Sequence, residues 1–198
     1  MIRLVYFDFG GVLVNYDRVF QKVCCDFNLN FDEFLKFYNQ FDPDLNVGKI
    51  KTEEFWRKCV DNFGLKNIDN YSLAKAWVSD YDIIEPINKM VYFLENKFEI
   101  GIISNINSGI WEAAVEDKWV PNIKYKIVLL SYKIGVVKPN DKIYKMAQQE
   151  SGVEPNEILF IDDKEENLKI PRGMGWKTVL FDMNQAEKGI EEIKAFLK

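Results

Sequence analysis

The chain has 198 residues, 47% of them hydrophobic, 15% aromatic and 29% charged; at about 150 residues per domain this fits one domain with a modest insert and excludes disordered and fibrous classes. Its 26 basic and 31 acidic residues are scattered and sum to −5, which argues against a broad nucleic-acid or anionic-membrane surface. With no histidine, Ser-His-Asp, Cys-His and His-zinc chemistries are excluded, so any catalysis runs on carboxylates, Lys, Ser/Thr, Tyr or a hard metal ion.

From the N-terminus, the run Arg3–Phe7 before Asp8 has the β-branched and aromatic content of a strand buried on both faces. It lacks the length of a signal-peptide core, and no later stretch reaches the roughly 20 apolar residues of a membrane span. A cytoplasmic location is the expectation. Between Tyr16 and Ile84 no comparable strand run occurs. The spacing predicts helices over Asp17–Phe27, Phe31–Gln40, Thr52–Phe63 and Asn70–Ser79, with Asp42-Pro43, Val47-Gly48 and Phe63-Gly64 as turn signals. The aromatics of this segment, among them Phe20, Phe34, Tyr38, Phe55 and Trp77, recur at helical spacing and predict a small bundle core, one or two of them lining a pocket. Cys24, Cys25 and Cys59 lack the spacing of a zinc site and are expected as free thiols, the adjacent pair as packing residues.

Beyond Ile84, strand runs alternate with helical spacing. Pro86–Asn96 predicts a helix, Glu99–Ile103 a strand before Ser104, Ile127–Leu130 a strand before Ser131, and Asn140–Ser151 a helix. Ile158–Ile161 is a strand before Asp162, Trp176–Phe181 another, and Gln185–Lys198 the last helix. Strand alternating with helix predicts an α/β fold, a doubly wound parallel sheet with helices on both faces. Residues 1–15 and 84–198 then form the core, and 16–83 a helical module joined by short hinges near Val14–Tyr16 and Tyr81–Pro86.

In such a sheet, ligands bind beyond the carboxyl ends of the strands. Those ends carry Asp8, Phe9, Gly10 and Gly11; Ser104 and Asn105; Asp162 and Asp163. Lys138 is placed at the opening of the helix after the third strand. Carboxylates, a hydroxyl and an ammonium would converge, a set suited to a divalent ion and a phosphate together.

The same residues resemble the haloacid dehalogenase superfamily. Val5-Tyr6-Phe7-Asp8-Phe9-Gly10-Gly11-Val12-Leu13 is similar to its first motif, Ile102-Ile103-Ser104-Asn105 to its second, Lys138-Pro139 with Ile143-Tyr144 to its third, and Phe160-Ile161-Asp162-Asp163 with Asn167 to its fourth. The module after the first motif resembles the helical cap of the branch that holds phosphoglycolate phosphatases and epoxide-hydrolase N-terminal domains, and the Gly10 and Asp-Asp pattern resembles sugar-phosphate phosphatases.

The resemblance implies a Mg²⁺-dependent phosphomonoester hydrolase of a small phosphorylated metabolite. Asp8 would be the nucleophile, forming an aspartyl-phosphate, and Lys138 would neutralise charge on Asp8 and the transferring group. Ser104, Asn105, Gly11 and backbone N–H groups would cradle the phosphate. Asp8, the Gly10 carbonyl and Asp163 would ligate Mg²⁺. Asp162 either stands behind the metal ligands or is a plain helix N-cap; Asn167 either supports the site or is solvated. Neither nucleic acid nor membrane is expected as partner, and the chain is expected as a monomer or weak homodimer.

The chain departs from the family at two places. Most phosphatases of the family carry an acid where this chain has Gly10, so the leaving-group proton must come from elsewhere: Asp17, Glu53 or Glu54, or a Mg²⁺-bound water. Asn15, Tyr16 and Asp17 at the hinge are candidates for substrate contact. Pro171 predicts a short or kinked helix after the fourth motif, with Arg172 as a candidate interface or substrate residue. Two further readings are open: a haloacid dehalogenase, which needs no metal, and a non-catalytic phosphometabolite- or partner-binding protein that lacks the usual acid.

Overall fold

The computed structural model describes residues 1–66 and 68–198. Strand β1 (Leu4–Phe7) leads through a turn to β2 (Val14–Asn15), and five helices follow: α1 (Gln21–Phe27), α2 (Phe31–Asn39), α3 (Asp42–Asn46), α4 (Thr52–Phe63) and α5 (Leu73–Val78). The chain returns through β3 (Asp82–Ile83) to α6 (Glu85–Leu94), β4 (Glu99–Ser104) and α7 (Ile110–Glu116). Then come β5 (Ile127–Leu130), α8 (Ser131–Ile134), α9 (Asp141–Ser151), β6 (Ile158–Asp162), α10 (Glu165–Gly173), β7 (Lys177–Leu180) and α11 (Ala186–Phe196).

β1, β4, β5, β6 and β7 form one parallel sheet in the order β5-β4-β1-β6-β7. Successive strand residues point to opposite faces, so β1 divides itself between two cores. Val5 and Phe7 join Ile87, Val91, Ile110 and Ile193 on one face; Leu4 and Tyr6 join Ile143, Ala147, Leu168 and Trp176 on the other. This is the α/β architecture expected from the unalternating apolar runs. The chain leaves β1 for β4 on one side and returns to β6 on the other, which makes the end of β1 the switch point where a ligand crevice opens.

The helices between β2 and β3 have an apolar cluster of their own, with Phe20, Phe34, Leu45, Phe55, Trp56 and Cys59 buried in it. Their two connections to the sheet lie side by side, because β2 and β3 pair antiparallel through Val14 with Ile83 and Asn15 with Asp82. A second tie joins Thr52, at the start of α4, to Ser108: Thr52 N–H donates to Ser108 Oγ at 3.0 Å, and Thr52 Oγ1 donates to the Ser108 carbonyl at 2.5 Å.

Several local expectations need correction. The first helix starts at Gln21 rather than Asp17, after Phe20 with a left-handed φ of 74°. The expected Asn70–Ser79 helix is shorter, starting where the Ser72 side chain accepts from the Lys75 N–H. Asp42-Pro43 opens α3 instead of marking a turn, since proline fits a first helical turn whose N–H groups have no partner. Cys25 is exposed, whereas Cys24 and Cys59 are buried.

The helix around Pro171 is short, as expected, with nine residues, and it runs through Pro171 to Gly173. Proline leaves the carbonyl four residues back, that of Asn167, without its helical partner. The Tyr144 hydroxyl donates to that carbonyl at 2.8 Å. Arg172 pairs with Glu165 and donates to Thr178 Oγ1 at 2.7 Å, an exposed contact within the chain.

Candidate active site

Asp8 follows β1, Ser104 ends β4, Asp162 ends β6 with Asp163 after it, and Lys138 comes from the loop between α8 and α9. Lys138 does not open a helix, as the sequence suggested: α9 is capped by Asn140, and Lys138 stands two residues earlier, before a cis peptide to Pro139. The loop is clamped to the end of β4 by Asn105, whose Oδ1 accepts from the Lys138 N–H at 2.7 Å while its Nδ2 donates to the Lys138 carbonyl at 3.0 Å.

So held, Lys138 places Nζ 2.7 Å from Asp8 Oδ2 and 2.6 Å from Asp162 Oδ2. The other Asp162 oxygen accepts from the Lys164 N–H at 2.9 Å and from Asn167 Nδ2 at 2.8 Å. Asp162 is thus fully buried with both oxygens occupied, and α10 is capped at Lys164 rather than at Asp162. Asn167 is buried and bonded to Asp162, not solvated. Asp8 Oδ1 accepts from the Phe9 N–H at 2.7 Å.

Three carboxylates, Asp8, Asp162 and Asp163, offer oxygens that lie within 4.8 Å of one another. Burial pushes the Asp8 carboxyl up to about 7; Lys138 pulls it down, and Asp162 and Asp163 add to the rise. Asp163 is also raised, by burial and then by Asp162. Burial alone would lower the Lys138 ammonium, but Asp8 and Asp162 hold it above its ordinary value. An added cation would relieve this crowding of negative charge.

The donor set fits a hard divalent ion. Asp163 Oδ1 is buried without a hydrogen-bond partner among the described residues, and its orphaned charge is of the kind a metal satisfies. Asp162, with no oxygen to spare, stands behind. Gly11, with φ +76°, lets the backbone pass Asp163: a Cβ there would lie 2.5 Å from Asp163 Oδ2.

Asp8, Ser104, Lys138 and Asn167 share a cavity of about 430 Å³, whose far wall is built by Leu35, Tyr38, Asn39, Asp42 and Asn46 of α2 and α3 with Trp77 of α5. Ser104 is buried and contributes to the wall; no described residue hydrogen-bonds its hydroxyl. The cradle expected after Ser104 differs from expectation. The Asn105 amide is committed to the Lys138 loop, the Ile106 N–H donates to Ser131 Oγ at 2.9 Å, and α7 begins only at Ile110.

Position 10 has no room for a side chain. A Cβ on Gly10 would stand 2.8 Å from Cε1 and 3.0 Å from Cδ1 of Tyr16. Tyr16 lines the cavity with Lys164, bringing an O–H and N–H groups to the wall where the family's acid would stand. Asn15, Asp17, Gly11 and Asp163 line an adjoining depression with Tyr16. Asp17 is exposed there, and Asn15 Oδ1 accepts its N–H at 2.8 Å. Glu53 and Glu54 are exposed on α4 and do not line the cavity. The carboxylate that the inserted helices do contribute is Asp42, which the sequence marked only as a turn; its i,i+4 relation to Tyr38 was the available signal. Asn107 and Lys164 carried no signal in the sequence.

The model of the haloacid dehalogenase-like hydrolases matches residues 2–175. The chain belongs to that family. Among its relatives in this hydrolase family, the D-ribitol-5-phosphate phosphatase of Bacteroides thetaiotaomicron is 28% identical over 90% of this chain and 91% of the relative. The bifunctional epoxide hydrolase 2 of Mus musculus is 36% identical over 90% of this chain, but only 36% of that longer protein is covered. Among solved structures, a HAD family enzyme of Bacteroides thetaiotaomicron in complex with magnesium and inorganic phosphate superposes with a TM-score of 0.77 at 25% identity, over 93% of this chain and 96% of that one.

Two outcomes follow from this packing of charge and ring. Because the folded site holds the Asp8 proton more tightly than the unfolded chain does, metal-free protein loses stability as pH rises from Asp8's ordinary 3.8 towards about 7. Asp8→Asn is expected to reduce that slope in EDTA, leaving the part that the raised Asp163 carboxyl contributes; an unchanged slope would contradict it. Gly10→Asp is expected to cost about 1–3 kcal/mol through overpacking against Tyr16. Adding Tyr16→Ala should return part of that cost in denaturant unfolding, whereas strictly additive effects would contradict the clash.

Proposed function

We propose that this hydrolase is a Mg²⁺-dependent phosphomonoester hydrolase acting on a small phosphorylated metabolite, with a sugar or polyol phosphate as the class. The observation that carries the reading is Lys138 Nζ bridging Asp8 and Asp162 at 2.7 and 2.6 Å beside the unpartnered Asp163 Oδ1. The similarity to a D-ribitol-5-phosphate phosphatase supports the substrate class.

In this reading the phosphoryl group sits at the floor of the cavity. The Asp8 carboxylate attacks phosphorus, the bond to the leaving oxygen breaks, that oxygen takes a proton from water to leave as the alcohol, and an aspartyl-phosphate remains; water then cleaves it, returning a proton to solvent, releasing inorganic phosphate and restoring Asp8. A carboxylate needs no base to become nucleophilic, so the reaction requires no histidine. Lys138, held from both sides, offsets charge on Asp8 and the transferring group without reorganising. Ser104 donates its hydroxyl to a phosphoryl oxygen. Asp8, the Gly10 carbonyl and Asp163 would hold Mg²⁺, which when bound supplies charge neutralisation and orientation of the phosphate. The helices from Gln21 to Val78 act as a cap that shields the reaction from water.

Phosphate release from a panel of sugar and polyol phosphates should require Mg²⁺, stop on EDTA addition, and fall by more than about 10³-fold in Asp8→Asn. Chloride release from a 2-chloro acid without metal, or full activity in Asp8→Asn, would overturn the reading.

A further inference from the structure

The cavity wall opposite Asp8 carries a chain of hydrogen bonds that the phosphoryl chemistry does not use. Tyr38 has a single hydroxyl proton and donates it to Asp42 Oδ1 at 2.5 Å. Its oxygen must then accept, and it does so from Asn107 Nδ2 at 3.2 Å. Asn46 Nδ2 donates to the same Asp42 oxygen at 2.7 Å. This order fixes which ends are free: Asn107 presents Oδ1, and Asp42 presents Oδ2.

Both free ends are acceptors, and both residues line one cavity. Asn107 is 3% exposed, and its Oδ1 is buried with no partner among the described residues. An amide oxygen left so destabilises the fold unless a donor reaches it. Asp42 is half-buried and in no ion pair among the described residues. Burial and the neighbouring Asp42 both push the Tyr38 hydroxyl upward, which keeps its proton in place as the link. The cavity therefore holds a cation, Lys138, and an acceptor pair that runs from Asn107 on the sheet side to the Asp42 carboxylate on the inserted helices.

We propose that Asn107, Tyr38 and Asp42 form a hydroxyl-reading subsite that selects neutral polyhydroxylated phosphate esters and rejects esters with an anionic tail. The inference rests on the phosphomonoesterase reading above and deepens it. Hydroxyl groups of the leaving alcohol donate to Asn107 Oδ1 and Asp42 Oδ2, while Trp77 and Phe20 on the same wall take the C–H face of the chain. A tail carboxylate would bring acceptor against acceptor and like charge against Asp42. Asn107 stands on the sheet side and Tyr38 and Asp42 on the inserted helices, so the subsite is complete only when the two parts are apposed.

The test compares kcat/KM on four esters of one chain length: a pentitol phosphate, pentyl phosphate, 5-aminopentyl phosphate and 4-carboxybutyl phosphate. The wild type is expected to favour the pentitol ester over pentyl phosphate by about 10²-fold or more, since a site built for hydroxyls leaves its own acceptors unpaired with the analogue. Asn107→Leu, and independently Tyr38→Phe, should each lower that ratio at least about tenfold. Asp42→Asn should raise the relative rate on the carboxylate-tailed ester, a gain that general damage to the fold would not produce. A wild-type ratio near one, equal loss on both esters in the variants, or preference for the aminopentyl ester would overturn the subsite while leaving the phosphatase reading in place. Absence of phosphate release from all four by the wild type, with Mg²⁺ present, would overturn the phosphatase reading and this one with it.

Discussion

Lys138 is a buried ammonium held between two buried carboxylates, and most of the molecule's local design serves that arrangement. Taking one partner away from such a cluster leaves an uncompensated buried charge, at a cost of about 3–5 kcal/mol, so each group must be fixed by something else. Asn105 clamps the Lys138 backbone from the end of β4. Asn167 and the Lys164 N–H fill the remaining oxygen of Asp162. Tyr144 occupies the Asn167 carbonyl that Pro171 leaves free, so the helix carrying Asn167 keeps its course. The parallel sheet supplies the rest, because its switch point at β1 brings the ends of β4 and β6 to either side of Asp8.

The same arrangement explains what the absence of histidine requires. An ionised carboxylate is a nucleophile by itself, and a lysine fixed by two aspartates supplies charge without titrating near neutrality. Excess negative charge remains, since burial and neighbouring carboxylates push Asp8 up to about 7 and also raise Asp163. A divalent cation would correct the imbalance. The space that a side chain at position 10 would need is filled by the ring of Tyr16.

The sheet was legible because buried parallel strands are short unalternating apolar runs, as Ile127–Leu130 and Ile158–Ile161 are. Asp8, Ser104, Lys138 and Asp163 were legible because strand ends and motif spacing point to one crevice. What was not legible depends on contacts across the chain. Nothing local distinguishes Asn107 from any loop asparagine; its meaning comes from Tyr38, 69 residues away. Asp42 read as a turn because Asp-Pro is a turn signal, and only the packed α2–α3 corner turns it into the cavity. Asp17, Glu53 and Glu54 are reasonable proton donors by position along the chain, yet Asp17 lines the adjoining depression and not the cavity, and Glu53 and Glu54 are exposed on α4. Pro171 looked disruptive because a hydroxyl donated from α9 is invisible in the residues around it.

In the proposed reading, Lys138 takes the phosphoryl end of the ester beside Asp8, and Asn107 and Asp42 take its hydroxyl groups. In this reading the cluster makes Asp8 a phosphoryl acceptor. The most direct measurement is acid-quench trapping with a small acyl phosphate and Mg²⁺, followed by peptide mass mapping. One added phosphoryl group is expected on the peptide containing Asp8, absent with EDTA and absent in Asp8→Asn. A phosphoryl group on another residue, or none at all while phosphate is still being released, would contradict it.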